Sequence, residues 1–293
     1  MTKKNIHFII NPISGTGKQK DILRKIEQII NEEIYSCQLH FTERKNHATE
    51  IAQELSKSSS DIIVAVGGDG TVNEVSKALV DTESVMGIIP TGSGNGLARH
   101  LKIPRNIKKA LKLINDGNMC SIDTCSANDH FFINVSGIGY DGHIADVFSN
   151  STKRGIKTYV KLIASEWSSY TPKKYRIEVN NKIVFEDKAL LVSFANASQY
   201  GNNAYISPTS IIDDGKLEIC IIKPFRIHEI PRMLISLIRQ RLHVNKNVLT
   251  IPCTNANIKQ QNAKAHLDGE PIDLNNQIEL KIKPSSLKII TGC

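Results

Sequence analysis

The sequence predicts an α/β half followed by an antiparallel β half. Three observations lead there. Apolar strands run into glycine-rich loops and then helices, three times within residues 6–101. Beyond about residue 125 helical spacing gives way to short alternating strands. Turn residues punctuate those strands. Strand–helix alternation argues a parallel sheet, and runs of strands argue an antiparallel one. A chain of 293 residues suffices for two compact domains. They are placed at 1–125 and 126–285, with a cleft between them.

The first βα unit has a mostly apolar strand at 6–10. The loop Asn11-Pro12-Ile13-Ser14-Gly15-Thr16-Gly17-Lys18 follows, then a helix to about Ile30. Gly17-Lys18 suggests a Walker A loop. Gln19 follows the lysine, however, and Pro12 stands where the first glycine belongs, so a P-loop is rejected. The polar, glycine-rich content favours a ligand-facing loop over an ordinary βα turn.

The second unit is the most informative. Residues 61–66 are almost wholly apolar and β-branched, as in a parallel strand covered on both faces. Gly67-Gly68-Asp69-Gly70-Thr71 follows, and its glycines permit positive φ and close backbone approach. Thr71 and Glu74 have capping-box spacing, and Val72, Val75 and Leu79 form an inward helix face. A glycine turn at a helix N-terminus suits phosphate. Asp69 would repel phosphate unless a cation stood between, and Mg²⁺ shares carboxylate and phosphate oxygens. The loop thus reads as a Mg²⁺-nucleotide site with Asp69 facing the metal; a plain tight turn is the alternative.

The third unit repeats the pattern. Residues 85–89 are apolar, Pro90 ends the strand, and Thr91-Gly92-Ser93-Gly94-Asn95-Gly96 forms the loop. A helix starts at Leu97, with Arg99 and His100 in its first turns. Such loops emerge at the carboxyl ends of parallel strands, where open α/β sheets bind ligands.

In the second half, strands are expected at 175–179, 183–185, 189–195, 217–222, 248–251, 256–259 and 278–282. Asn180-Asn181 reads as a hairpin turn, and Asp268-Gly269 as another between 263–267 and 271–274. Asp213 and Asp214 precede Gly215 and Leu217; paired acids there bind a hard cation or make an ordinary turn. Two segments are basic and partly amphipathic. Lys153, Arg154, Lys157 and Lys161 accompany Tyr159, Leu162, Ile163 and Trp167. Arg226, Arg232, Arg239 and Arg241 surround Ile230, Leu234, Leu237 and Ile238. Both fit interfacial helices, and equally core-packed helices with a solvated basic face.

Asn-Pro-x-Ser-Gly-x-Gly-Lys at 11–18, Gly-Gly-Asp-Gly-Thr at 67–71 with Asn73-Glu74, and Pro-Thr-Gly-Ser-Gly-Asn at 90–95 occur in order. Together they resemble the diacylglycerol kinase catalytic domain family, which includes sphingosine and ceramide kinases and soluble bacterial lipid kinases. The resemblance continues in 132–141, in Asp213-Asp214-Gly215-Lys216-Leu217 and in Leu267-Asp268-Gly269-Glu270, so it covers nearly the whole chain. It implies a nucleotide-binding domain of diacylglycerol kinase and NAD kinase type. It also implies a C-terminal β-sandwich, and a strand at about 286–293 that returns to the first domain. ATP would lie over Asn11, Pro12, Ser14, Gly15, Gly67, Gly68, Gly70, Thr71, Glu74, Thr91, Gly92, Ser93, Gly94, Asn95 and Arg99. Mg²⁺ would bridge its phosphates near Asp69. Glu270, with Asp268 beside it, would take the proton from a lipid hydroxyl. The resemblance also implies a second, structural Mg²⁺ at Asp213, Asp214 and Leu217, and supporting or substrate roles for Asp123, Asp141 and Asp146. Many bacterial diacylglycerol kinases carry Asn-Asp in the third loop. Here Gly96 follows Asn95, which looks more like the sphingosine kinase branch, where an acid at the place of Asp146 faces the sphingoid amine.

The function expected is therefore ATP-dependent phosphorylation of a diacylglycerol-like lipid. The alternatives are a sphingoid-base kinase, then an NAD kinase or a non-catalytic lipid-binding protein. Net charge is +8 and pI about 9.1, which suits an anionic membrane surface. Aromatic residues make up only 5%, and no basic–aromatic nucleic-acid module occurs, so nucleic acid is not an expected partner. Six cysteines without a Cys-x-x-Cys pair read as free thiols in a reducing compartment. Apolar runs such as 233–238 fall far below the ~20 residues of a membrane span, and the apolar stretch at 6–10 is too short for a signal peptide. The expected location is cytoplasmic and peripheral at the membrane. Exposed strand edges admit a homodimer.

Overall fold

The computed structural model describes residues 3–14, 19–57, 61–151, 156–261 and 264–292. In chain order the elements of the first half are β1 (Lys4–Ile10), α1 (Gln19–Ile29), β2 (Tyr35–Phe41), α2 (His47–Leu55), β3 (Ile62–Gly67), α3 (Asp69–Leu79), β4 (Val85–Pro90), α4 (Gly96–His100) and α5 (Ile107–Asp116). Then come β5 (Met119–Ala127), β6 (His130–Phe132), β7 (Val135–Gly139), α6 (Tyr140–Ser149), α7 (Ile156–Glu166), β8 (Lys173–Val179), β9 (Lys182–Ala189), β10 (Leu191–Ala195) and β11 (Leu217–Ile222). The last are α8 (Ile230–Ile238), β12 (Val248–Cys253), β13 (Asn255–Lys259), β14 (Lys264–Leu267), β15 (Glu270–Asp273) and β16 (Gln277–Ile290). The chain divides into two units, one of residues 1–122 with 285–293 and one of residues 123–284.

The first unit is an α/β fold on a parallel sheet of order β2-β1-β3-β4. The end of β16 adds to it, with Ile289 pairing parallel to Met86. Every residue of β3 is buried, so its sheet is covered on both faces, as its β-branched composition requires. Helix α5 starts on Asn106, whose side chain accepts the Lys109 N–H, and stops at left-handed Gly117.

The second unit is an antiparallel β-sandwich. One sheet has the order β12-β11-β10-β7-β14-β15. The other contains β16-β13-β8-β9, with β5 and β6 attached. Ile138, Val192, Phe194 and Ile219 from the first meet Tyr175, Ile177, Ile258 and Leu280 from the second in one buried core. Alternate residues of the first sheet, such as Val135, Cys220 and Ile222, point the other way and pack with Tyr140 and Ile144 of α6, Leu162 of α7 and Met233 of α8.

The expected hairpins form. Asn180 and Asn181 have φ 51° and 60°, and Asp268 and Gly269 have 49° and 89°. These are the left-handed pairs that a two-residue turn between twisted strands demands.

Two local expectations are corrected. Gly67, Gly68 and Gly70 do not use positive φ; Gly68 sits at −91°. At Gly68 the requirement is space, because the backbone of another loop crosses it. Nor do Thr71 and Glu74 form a capping box, since α3 has no side-chain cap. The Glu74 carboxylate instead accepts the Asn46 and Ala48 N–H groups at 3.0 and 3.1 Å, capping the neighbouring helix α2.

Candidate active site

In the first unit three βα loops are tied to one another. Backbone bonds set their starting points: Asn11 N–H donates to Val66 O at 3.0 Å, and Thr91 N–H to Gly67 O at 2.9 Å. Side chains then lock the loops. Asn11 Nδ2 donates to Thr71 Oγ1 at 3.2 Å, and the Ser14 and Thr91 hydroxyls lie 3.0 Å apart. Gly92 crosses Gly68 so closely that a Cβ on Gly92 would stand 2.6 Å from the Gly68 Cα. Any side chain at Gly92 would force the loops apart, while a Cβ on Gly68 would make a tight contact of 3.3 Å with the Gly92 Cα.

Asp69 closes the assembly. Its Oδ2 accepts the Asn95 N–H at 2.9 Å and its Oδ1 the Gly96 N–H at 2.8 Å. One carboxylate at the start of α3 therefore satisfies the start of α4 as well. Burial raises the Asp69 carboxyl above its usual value, against the lowering pull of the Gly96 and Asn95 N–H groups and of Arg99. Asn95 is buried in the left-handed region at φ 53° and donates from Nδ2 to Gly92 O at 2.6 Å. Arg99 Nε donates to Gly94 O at 3.0 Å. Ser93 and Gly70 are exposed on the loop surface.

The structure thus brings together Asn11, Ser14, Gly67, Gly68, Asp69, Thr71, Thr91, Gly92, Gly94, Asn95 and Arg99, with Pro12 in the same loop as Asn11. Gly15 lies outside the described residues. Glu74 lies on α3, and its oxygens accept N–H groups at the start of α2. For Mg²⁺ the donor chemistry fits: Asp69 is a hard oxygen donor, and its two oxygens keep lone-pair capacity beyond the Gly96, Asn95 and Asp69 N–H groups they accept.

In the second unit the hairpin β14–β15 carries Asp268 and Glu270. Asp268 anchors the turn. Its Oδ2 accepts the Ile133 N–H at 2.9 Å and its Oδ1 the Asn134 N–H at 2.8 Å, while its own N–H donates to Ser136 Oγ at 3.1 Å. Glu270, next but one, is exposed on the same turn.

Asp141 and Asp123 are buried and bonded within the second unit. Asp141 is 6% exposed, and its Oδ2 receives the hydroxyls of Tyr200 and Ser193 and lies 2.9 Å from His266 Nε2. Burial pushes its carboxyl up, but His266, then Tyr200 and Ser193, outweigh this and hold it below its usual value. Asp123 is fully buried, and its Oδ2 accepts the Gly215 N–H at 2.7 Å, pinning the turn that carries Asp213 and Asp214. Asp146 pairs with Lys264 at 3.1 Å, so its charge is balanced within the chain. Asp213 and Asp214 are exposed, Asp214 already accepts the Lys216 N–H, and Leu217 is a buried β11 residue. Among the described residues no three His, Cys, Asp or Glu side chains gather to hold a metal.

His266, Tyr200 and Ser193 were not marked by the sequence. His266 binds the hairpin from behind: its Nδ1 accepts the Gly269 N–H at 3.2 Å. Only its place two residues before Asp268 hinted at this.

A parallel α/β unit with three interlocked glycine loops, joined to an antiparallel sandwich, is the plan of a kinase of this fold, and comparison with known proteins gives the family. Residues 5–127 match the diacylglycerol kinase catalytic domain, and residues 134–291 match the YegS C-terminal NAD kinase beta sandwich-like domain. The diacylglycerol kinase of Bacillus subtilis (strain 168) is 31% identical over 275 residues, 91% of this chain and 90% of its own. The protein named "Probable lipid kinase YegS" in Escherichia coli O6:K15:H31 (strain 536 / UPEC) is 29% identical over 283 residues, 94% of this chain and 93% of its own. The fold matches a diacylglycerol kinase crystal structure from Bacillus anthracis str. Sterne with TM-score 0.76 at 22% identity, over 100% of this chain and 98% of that one. It also matches an NAD kinase from Archaeoglobus fulgidus in complex with ATP, with TM-score 0.53 at 14% identity, over 98% and 93%. The chain belongs to the diacylglycerol kinase catalytic domain family.

Proposed function

We propose that this protein transfers the γ-phosphoryl group of ATP to a hydroxyl of a diacylglycerol-like membrane lipid. The observation that carries the reading is the interlocking of three loops by Asn11, Ser14 and Asp69, because backbone N–H groups and bare glycine surface are what triphosphate binding needs. The named relatives support a lipid acceptor.

In this reading Asn11, Ser14, Thr91, Gly92 and Gly94 cradle the phosphates, and Arg99 adds positive charge. Mg²⁺, held through Asp69, neutralises phosphate charge when bound. Glu270 accepts the proton of the attacking hydroxyl, its turn held by Asp268 and His266. Phosphoryl transfer asks mostly for in-line positioning and charge neutralisation, so rigid loops and an anchored base suffice. The Asp146–Lys264 pair weighs against a sphingoid amine, because Asp146 already has a cation.

The test is transfer from labelled ATP with Mg²⁺ to lipids in mixed micelles. Diacylglycerol, monoacylglycerol, a sphingoid base and ceramide form the panel, with NAD as the soluble control. Labelled diacylglycerol is expected. Label in NAD or the sphingoid base alone would overturn the reading.

A further inference from the structure

The segment between β11 and β12 carries apolar residues on the outward side of its helix as well as on the core side. In α8, Met233 is buried and Leu237 packs with it in the core beside the sheet. The opposite face consists of Pro231, Leu234, Ile235 and Ile238, and every one is exposed. Leu234, Ile235 and Ile238 are 45%, 51% and 63% exposed. Flanking turns extend the surface with Ile227 at 68% and Val244 at 69%. A surface helix ordinarily turns charged residues outward, so this face lacks its partner.

The rim identifies the partner. Residues 223–247 hold Lys223, Arg226, Arg232, Arg239, Arg241 and Lys246 against a single acid, Glu229. That acid is already engaged by the Arg226 N–H at 3.0 Å and by Lys246 at 3.5 Å. An apolar face ringed by unbalanced arginines complements a surface that is apolar inside and anionic at its boundary, which describes an anionic lipid leaflet. An acidic protein would satisfy the rim but leave the aliphatic face without a reason.

We propose that α8 and its flanking turns are a membrane-docking face that inserts Leu234, Ile235 and Ile238 among the acyl chains of an anionic bilayer, with Arg232, Arg239 and Arg241 at the headgroups. The proposal deepens the lipid kinase reading, but its test needs no turnover.

Purified full-length protein is floated with vesicles of phosphatidylcholine alone or mixed with phosphatidylglycerol. Binding to the anionic vesicles is expected, weakening with salt, and falling at least tenfold in the double variant Leu234→Glu/Ile238→Glu. Both positions are exposed, so its thermal midpoint should match the parent's. As a second measurement, Ile235→Trp should shift its emission to the blue on anionic vesicles. Equal binding by parent and double variant, or none by the parent, overturns the proposal. So does a dimer that the double variant splits while vesicle binding stays unchanged, since the face would then join two copies. Patch-dependent binding by a protein that phosphorylates no lipid would support the docking face and overturn only the lipid kinase reading.

Discussion

Nε2 of His266 lies 2.9 Å from Oδ2 of Asp141, and both side chains are buried. Burial disfavours the charged imidazole, but Asp141 outweighs it and raises His266 above its usual value. The same ring accepts the Gly269 N–H. A strut on α6 is thereby connected to the turn that presents Glu270. Replacing His266 with Ala strands Asp141 and frees the turn. Loss of one partner of a buried pair costs about 3–5 kcal/mol. The variant should melt at a clearly lower temperature and lose turnover. Asp141→Asn/His266→Ala should be less destabilised than the sum of the single variants, as read by denaturant unfolding.

The pH dependence of that pair follows from the Asp141 shift. A carboxyl held below its usual value of 3.8 adds stability above that pH, and the addition disappears as pH falls through the folded-state value. Asp141→Asn should therefore melt below the parent at neutral pH, and the gap should close only below about pH 3.8. Melting curves from pH 7 to 3 check this. A gap constant to pH 3 would contradict it.

Gly92→Ala tests the crossing of the loops. Its Cβ would meet the Gly68 backbone at 2.6 Å, where no flexible side chain can yield. Overpacking of this kind costs about 1–3 kcal/mol, and ATP affinity should fall by roughly tenfold for each 1.4 kcal/mol lost at the site. Gly70→Ala, with nothing within 4 Å of the new methyl, is the matched control. Calorimetric ATP titration separates the two.

Asp69→Asn keeps the side-chain shape but removes the charge, and its amide sets an N–H donor against one of the N–H groups of Asn95 and Gly96. Turnover should drop by about a hundredfold or more, with little change in fold by circular dichroism. An active variant would remove Asp69 from the metal role.

Glu270→Gln should lower turnover by about 10²–10⁴, the usual weight of a general base. Binding of a short-chain diacylglycerol should persist. Asp268→Asn should lower turnover through a different cause, by loosening Ile133 and Asn134 from the turn. Its effect should therefore appear in thermal stability as well as in rate.

Much of the fold is legible in the chain because its signals are local. The β-branched run before Gly67 reads as a doubly covered strand and is one. Asn180-Asn181 and Asp268-Gly269 read as hairpins because few residues tolerate left-handed φ in succession. Strands β2 and β5 and helix α5 were not anticipated. In β2 only Tyr35 is buried, so Ser36, Cys37 and Gln38 give little alternation to read.

The candidate site was legible as a set of loops and not as a set of roles. Glu74 has capping-box spacing, yet it caps α2, because Asn46 and Ala48 are brought beside α3 by sheet packing. Asp268 stands in a motif beside Glu270, and Asp123 and Asp141 in motifs with supporting or substrate roles; the structure gives each a bond within the second unit.

By itself the sequence determined the order of strands, loops and turns, since these depend on side-chain branching, backbone freedom and spacing over a few residues. Tertiary structure alone decided that Asp69 joins α3 to α4, that His266 holds Gly269 against Asp141, and that Leu234 and Ile238 face outward. Partners distant along the chain, and the side of a helix that finds a core, are set by which buried polar groups must be satisfied and which surfaces are left uncovered once the sheets pack.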